Sequence, residues 1–267
     1  MAAQNYYYHY TNIVGLMGII NSKSLWFTDH AFLNDKHEIK KGLTSLLSHF
    51  SAAEQKSFML GFDFHNWHTR YCIVSLSKSY EILSQWRAYA DDGKGVAIGF
   101  SKQLLADAGV KYKECIYSDH DEIAEALAGK HEQFIKSVAE NWEKFSEMSL
   151  ENFDRWVVEN KSKFIEVVED TMNLKNSSFE SEQEIRGILA VDRTEMKNRV
   201  SGNLIIPYTE KYLWGKGILK FRGEEVIIGQ VIHQVWLGPK CNDLNKLTIN
   251  MLGIDKCHVE KYDCGYV

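Results

Sequence analysis

The sequence predicts a single α+β domain that spans residues 1–267. Its composition, with 45% hydrophobic and 25% charged residues, is that of a globular protein with enough apolar material for a core. Short strand-like runs are separated by helical segments but do not alternate as βαβ units, and this pattern favours small twisted sheets. A long proline-free stretch in the middle of the chain has helical periodicity. We therefore expect a sheet-based body that carries an inserted helical segment.

Aromatic and β-branched residues mark the predicted strands. These strands are residues 6–11, 25–28, 71–77, 95–100, 184–190, 216–221 and 231–237. Two helices are predicted between the early strands. The first covers residues 12–24, with one apolar face and a cap at Thr11 or Asn12, and the second covers residues 80–90.

The inserted segment covers about residues 121–176 and is acidic. Residues 121–175 hold 13 acidic and 7 basic side chains, a net charge of -6, whereas the whole chain has a net charge of -5. Apolar residues recur at helical spacing along the segment, so we expect two or three amphipathic helices. Three roles for these helices stay open: covering the site, binding a protein partner, or enlarging the domain.

Several classes of protein do not fit this sequence. No apolar run reaches membrane-spanning length, and the first ten residues lack the features of a signal peptide. The five scattered cysteines are an odd number, which is typical of reduced thiols in a cytoplasmic protein. The cysteines and histidines lack the close paired spacing of zinc ligands, so we expect no metal. The net charge gives no overall signal for a nucleic acid or membrane surface.

Three polar features remain as candidates for chemistry: a strand end near the N-terminus, a serine-containing strand with the aromatic helix after it, and a late strand that opens with charges. Their residues are His9, Tyr10, Thr11, Ser75, Ser77, Trp86, Tyr89, Glu182, Glu184 and Arg186. In an extended strand, Glu182, Glu184 and Arg186 share one face. Because burying isolated charges is costly, they need either a solvated surface or a polar site. For each feature taken alone, the solvated surface is the better interpretation.

Taken together, these features resemble known families. The segment "YYYHYTNIVGLMGIINSKSLWFTD" resembles the opening of ADP-ribosyltransferase-fold proteins, and the chain as a whole resembles a large bacterial family that is itself similar to toxins of this fold that modify DNA and RNA. The marks of that family run from residue 6 to about residue 240 and skip the acidic helices. They are His9 to Thr11, Asn34-Asp35 with Glu38, Ser75-Leu76-Ser77, Trp86 with Tyr89, "GKGVAIGF", Glu182/Glu184/Arg186 and "VWLGPK".

The resemblance implies a split β-sheet core and an NAD-dependent mono-ADP-ribosyltransferase, with NAD as co-substrate. Cleavage of the nicotinamide–ribose bond creates an oxocarbenium-like centre, as in glycoside hydrolysis. A carboxylate beneath the ribose can stabilise the developing positive charge. The resemblance gives this role to Glu184, with Glu182 as the second choice or as the group that orients the acceptor.

The remaining candidates would hold NAD. His9 would bind the ribose or the nicotinamide carboxamide at the strand end that includes Thr11, and Tyr10 or Tyr89 would stack on nicotinamide. Ser75 or Ser77 would brace the carboxylate, and Arg186 would anchor it or touch a phosphate.

Structural explanations for these residues also stay open. His9 can cap an edge, and Trp86 and Tyr89, three apart on a helix, are typical of a core pair. Asn34, Asp35 and Glu38 suit a loop and helix cap better than a catalytic group.

The resemblance favours a nucleic acid acceptor over a protein, a role in bacterial defence and a neutralising antitoxin partner. One stretch suits base stacking with phosphate contacts, although a strand with extended lysines explains it equally well. Its members are Tyr208, Lys211, Tyr212, Trp214, Lys216, Lys220, Phe221 and Arg222. Two alternatives stay open: a non-catalytic binding module of the same fold, and an NAD glycohydrolase that uses water as the acceptor.

Overall fold

The structure is a computed structural model. It describes residues 5–33, 36–108, 110–117, 121–145, 149–213, 217–221, 224–228, 232–252, 254 and 257–266. Asn34, Asp35, Trp214, Lys216 and Arg222 lie outside these residues, as do the side chains of Glu38, Lys220 and Phe221.

Strands and helices alternate irregularly along the chain. The strands are β1 (Tyr6–Thr11), β2 (Ser24–Asp29), β3 (Thr69–Ser77), β4 (Val96–Ser101), β5 (Lys111–Glu114), β6 (Ile116–Tyr117), β7 (Leu174–Lys175), β8 (Glu184–Asp192), β9 (Lys197–Ser201), β10 (Leu204–Tyr212), β11 (Gly217–Phe221), β12 (Glu224–Ile228), β13 (Ile232–Leu237) and β14 (His258–Lys261). The helices are α1 (Ile13–Ser22), α2 (Lys36–Leu47), α3 (Ala52–His68), α4 (Leu83–Tyr89), α5 (Lys102–Asp107), α6 (Asp121–Phe145), α7 (Leu150–Glu159), α8 (Lys161–Thr171) and α9 (Leu244–Met251). The predicted strands and the helices of the acidic segment are confirmed.

The body is built on one large, mostly antiparallel sheet, so the expectation of small sheets was wrong. Its strands follow the order β14-β13-β4-β1-β3-β2-β10-β9, and β8 pairs with both β3 and β5. Among the described strands this sheet has ten members, with two-stranded sheets formed by β11-β12 and β6-β7 beside it. The fold is thus α+β, as predicted, but most of its strands belong to a single layer.

Strand β3 is where this sheet divides. One edge of β3 pairs with β8 along its whole length, from Thr69 opposite Asp192 to Ser77 opposite Glu184. The other edge is shared: β2 pairs with β3 at Cys72 and Ile73, and β1 pairs with it at Ser77. Strands β1 and β2 therefore diverge on either side of the middle of β3. We call this divergence the fork.

The two faces of the sheet have separate cores. On one face, α1, α5 and α9 pack on apolar residues such as Val74, Ile98 and Ile185. On the other face, α2, α3 and the acidic helices α6–α8 pack on Tyr71, Ile73 and neighbouring residues, while α4 packs on Tyr8, Tyr10 and Ala97. The second face thus carries two separate groups of helices.

Helix α1 joins the two arms of the fork, because it follows β1 and precedes β2. Of the two predicted caps, Asn12 is the one used: its side-chain oxygen accepts a hydrogen bond from the Gly15 amide at 2.8 Å. Within the described ranges, no helix combines the length and apolar character needed to cross a membrane.

Candidate functional site

A cavity of about 180 Å³ opens at the fork and contains most of the predicted site residues; we call it the fork cavity. Its walls include His9 from β1, Ser75 from β3 and Tyr89 from α4, together with Lys175 and Glu184. Ser75 is exposed although its neighbours in β3 are buried, because none of the described strands pairs with β3 at this point on the fork side. The divergence of β1 and β2 therefore creates a solvent-accessible site in the middle of the sheet.

His9 spans the fork through a hydrogen bond. Its Nδ1 lies 3.1 Å from the backbone oxygen of Ser75. A carbonyl oxygen only accepts, so Nδ1 carries the proton, and Nε2 of the neutral ring is an acceptor. Burial lowers the pKa of His9, which keeps the ring neutral at physiological pH. The hydrogen bond caps a backbone oxygen of β3 at the point where β1 diverges from β3, which agrees with the edge-capping explanation for His9.

In the part of the chain that the structure describes, four charged side chains form a compact cluster against the fork cavity; we call it the ion cluster. Glu184 accepts hydrogen bonds from Arg186 Nε at 2.9 Å and Nη2 at 3.2 Å, and from Lys175 Nζ at 2.7 Å. Lys175 Nζ also donates to Glu182 at 2.6 Å. Lys175 and Arg186 are each 1% exposed and Glu184 is 5% exposed. Two carboxylates thus meet two cations in a site that is almost closed to water.

Neighbouring charges in the ion cluster keep the Glu184 carboxylate and the Lys175 ammonium ionised although both are buried. Burial by itself would raise the pKa of the Glu184 carboxyl, but the adjacent charges of Arg186 and Lys175 outweigh burial and lower that pKa to about 2. Burial would likewise lower the pKa of Lys175, whereas Glu184 and Glu182 raise it above its ordinary value. Glu184 is therefore a carboxylate at neutral pH.

The local backbone explains how Glu182 and Glu184 come to share one cation. Residues Ser177–Glu182 form a 3-10 turn, and Gln183 adopts a left-handed conformation with φ 46° before β8 begins at Glu184. The Ser77 hydroxyl donates to the Glu182 backbone oxygen at 2.9 Å, and the Glu184 amide donates to the Tyr117 hydroxyl at 2.6 Å. Ser77 therefore braces the backbone before Glu184 instead of the carboxylate itself.

Two sequence expectations about these charges were wrong. Glu182 does not lie on the β8 face by strand alternation, because it belongs to the preceding turn. Glu184 and Arg186 do not lie on a solvated surface, because each compensates the other's charge in a buried site. Arg186 donates to Glu184 and to the Met172 backbone oxygen at 2.6 Å, which agrees with the anchoring role among its two predicted roles.

Of the aromatic candidates, one is buried in the core and two line the fork cavity. Trp86 is fully buried, donates from Nε1 to the Tyr80 oxygen and meets the Tyr10 ring edge-on at 5.0 Å, so its assignment to cofactor binding was wrong. Tyr10 lines the fork cavity, but its ring is 6% exposed and its hydroxyl donates to the Ser79 oxygen at 2.9 Å. Tyr89 is 37% exposed and lines the cavity. Of the two tyrosines, Tyr89 has the accessible ring.

A second cavity, of about 530 Å³, continues from the first along α1; we call it the outer cavity. It shares His9, Trp26 and Thr28 with the fork cavity and adds Thr11 and Arg199. The Nε1 of Trp26 and the Nε of Arg199 are buried donors that find no hydrogen-bond partner among the described residues. Unpaired buried donors are costly, which indicates that this cavity suits a ligand rich in acceptor oxygens.

Sequence reasoning missed Lys175, Trp26 and Arg199. Lys175 follows the last acidic helix, so the inserted segment supplies one wall of the site. No local pattern distinguishes this lysine from a surface one. The described residues contain no group of three or more His, Cys, Asp or Glu side chains that could hold a metal ion.

Comparison with known proteins finds a similarity that covers part of this site. The model of a family described as a protein of unknown function (DUF2971) matches residues 85–187, less than half of the chain. The matched stretch runs from α4 through the acidic helices into β8, so it contains the ion cluster and Tyr89 but not His9. No curated protein and no solved structure matches the chain.

Proposed function

We propose that this protein is an NAD-dependent ADP-ribosyltransferase whose active site is the fork cavity. One observation carries the proposal: the divided sheet brings His9, Tyr89 and Glu184, which are far apart in sequence, to the walls of one small cavity. These are the residues to which the family resemblance gives the ribose, nicotinamide and charge-stabilising roles. The divergence of β1 and β2 also supports the expected split-sheet core.

The two cavities suit the two halves of NAD. The fork cavity alone is smaller than the roughly 300–1,000 Å³ typical of sites for small molecules, but the joined cavities fall within that range. We assign the nicotinamide and its ribose to the fork cavity. The pyrophosphate then lies near the unpaired donors of Trp26 and Arg199 in the outer cavity, where the guanidinium compensates its charge.

Glu184 supplies the negative charge that the reaction needs. As the bond between nicotinamide and ribose lengthens, positive charge develops on the sugar, and a fixed carboxylate nearby stabilises it. The depressed pKa of Glu184 keeps this group ionised. Arg186 and Lys175 hold the carboxylate in one orientation, so no reorganisation is required when the charge develops.

His9 and Tyr89 orient the substrate. The neutral imidazole of His9 offers Nε2 as an acceptor for a ribose hydroxyl, since Nδ1 is committed to Ser75. The accessible Tyr89 ring provides a surface on which nicotinamide can stack. Both contacts position the ribose carbon for attack, which is where much of the catalytic effect of orientation arises.

The test is incubation of the purified protein with labelled NAD and separate RNA, DNA and protein pools. Glu184→Gln removes the negative charge that stabilises the ribose. The matched control is Glu114→Gln, which removes an exposed carboxylate paired with Lys78. We expect label in one pool, with nucleic acid favoured, for wild type and Glu114→Gln but not for Glu184→Gln. Absence of NAD binding and cleavage by folded wild-type protein would refute the proposal.

A second candidate is a module that binds NAD without cleaving it. The observation that favours it is the set of hydrogen bonds from Arg186 and Lys175, which already engage both oxygens of Glu184. In this case NAD binds but no nicotinamide is released. An NAD glycohydrolase is distinguished by release of free ADP-ribose with no label in any pool.

A further inference from the structure

We propose that Asp92 is a positioning residue that holds Tyr89 in place to stack on nicotinamide. The inference rests on the proposed function, in which Tyr89 supplies the stacking surface. It starts from two marks of the family resemblance, residues 93–100 and 235–240, which are described in full but line neither the fork cavity nor the outer cavity. These two motifs meet beside the turn that follows Tyr89.

Glycines allow the two motifs to come close to each other. The Gly238 amide donates to the Gly95 oxygen at 2.9 Å. The Lys240 amide donates to the Gly93 oxygen, also at 2.9 Å. A Cβ at Gly238 would lie only 2.2 Å from the Gly93 oxygen, so no larger residue fits at this position. The Gly93 and Gly95 amides in turn donate to the Ala90 oxygen at 3.0 Å and 2.8 Å, which fixes the residue directly after α4.

The turn after Ala90 has an unusual backbone. Asp91, Asp92 and Gly93 have φ angles of 49°, 53° and 82°, so three successive residues have a positive φ. Glycine adopts such angles freely, but a residue with a side chain does so at a cost and keeps them only where the surrounding structure holds them. The conformation of the two aspartates therefore depends on contacts from outside the turn.

Asp92 makes such contacts with both of its carboxylate oxygens. Its Oδ1 accepts a hydrogen bond from the Tyr266 hydroxyl at 2.6 Å, and its Oδ2 accepts one from Lys240 Nζ at 3.1 Å. Lys240 Nζ also lies 4.0 Å from the centre of the Tyr266 ring, a favourable contact for a cation. We call these three side chains the Asp92 clamp.

The Asp92 clamp acts on α4 because this helix is short. It has seven residues, and isolated helices of fewer than about 12 residues are marginal in water. Within α4, Trp86 is fully buried, and the Tyr262 ring stacks on it at 6.0 Å. Tyr89 is the last residue of α4, directly before the turn, so the clamp determines where the Tyr89 ring lies at the cavity wall. A displacement of about 1 Å from the productive geometry can cost about 100-fold in rate.

The test measures the binding of NAD and of ADP-ribose, which lacks nicotinamide, by calorimetry. Asp92→Ala should weaken the binding of NAD by about fivefold or more, which is the scale of one aromatic stacking contact, and should leave the binding of ADP-ribose unchanged. Tyr89→Ala should show the same selectivity. The matched control is Asp243→Ala, which removes an exposed aspartate paired with Lys261 and should bind both ligands as wild type does.

A double variant separates positioning from a general loss of structure. In the Tyr89→Ala background, Asp92→Ala should weaken the binding of NAD no further, because the ring on which the clamp acts is absent. An equal loss in both backgrounds, or equal weakening of NAD and ADP-ribose, overturns the inference. If Asp92→Ala does not fold, Tyr266→Phe decides, since it removes a single hydroxyl of the clamp. It should weaken the binding of NAD alone by about threefold, and unchanged binding of NAD overturns the inference.

The inference and the proposed function fail in different ways. No binding of NAD by folded wild-type protein overturns the proposed function, and the positioning role of Asp92 with it. Binding of NAD that is as tight in Tyr89→Ala as in wild type overturns the inference alone, because the cleavage of NAD is tested separately by Glu184→Gln.

Discussion

The stability of Glu184→Gln tests whether the ion cluster exists as described. The substitution keeps the shape of the side chain and removes its charge. Lys175 and Arg186 then each lose their ion pair with Glu184 in a buried site. Because breaking a buried ion pair leaves an uncompensated charge, we expect a substantial loss of folding free energy.

The magnitude follows from the pKa of Glu184, which falls from an ordinary value of 4.5 to about 2. At about 1.4 kcal/mol per pKa unit, ionisation of Glu184 contributes about 3 kcal/mol to folding. Since the folded-state pKa is depressed, this contribution is fully present above pH 4.5. It declines as the pH falls towards 2, by about 1 kcal/mol between pH 4.5 and 3.5.

Urea unfolding of both proteins at several pH values measures this difference. Wild type should exceed Glu184→Gln by about 3 kcal/mol at pH 7, and the gap should narrow below pH 4.5 because glutamine resembles the protonated carboxyl. Glu114→Gln, at the exposed pair, should change stability by less than about 1 kcal/mol. Equal stability of wild type and Glu184→Gln at pH 7, or a gap that does not change with pH, would refute the reasoning.

Three further predictions concern the remaining residues. Trp86→Ala should lower the free energy of unfolding by about 3–5 kcal/mol in urea titrations, because it empties a fully buried site; a loss below about 1 kcal/mol would contradict that burial. Arg199→Gln should weaken the binding of NAD, measured by calorimetry, by about tenfold or more. Nicotinamide riboside, which lacks the pyrophosphate, should bind to Arg199→Gln as tightly as to wild type. Equal weakening of both ligands would show that Arg199 does not contact the pyrophosphate. The affinity for NAD should stay constant from pH 7.5 to pH 8.5, because burial lowers the pKa of His9 below its ordinary value of 6.5 and the ring is neutral in this range; a change in affinity over this range would count against a neutral His9.

Local sequence patterns predict much of the fold because they arise from local physics. Alternation and aromatic content identify β1, β3 and β8, and helical periodicity identifies α6–α8, because each pattern reports which face of one element is buried. The fork is different. It depends on which residues of β3 pair with β1 and β2, a long-range choice that no single segment encodes.

The site residues also differ in whether a local sequence pattern predicts their positions. His9, Tyr89 and Glu184 were identified through a family resemblance, and the position of Glu182 was mispredicted because the left-handed Gln183 ends the turn just before β8. Lys175 could not be predicted, since its two-residue strand has no periodicity and its burial depends on carboxylates seven and nine residues further along the chain.

The cost of the ion cluster is itself an argument for its function. Buried ion pairs are often no more stabilising than well-packed apolar residues of similar size, because desolvation offsets their attraction. Four charges in one nearly closed site are therefore a poor way to stabilise a sheet. They lie against the fork cavity, next to the exposed backbone of Ser75 and the acceptor nitrogen of His9. A fixed carboxylate beside an open cavity is the arrangement that charge development on a bound ribose requires, which is why we interpret the cluster as part of an active site and not of the core.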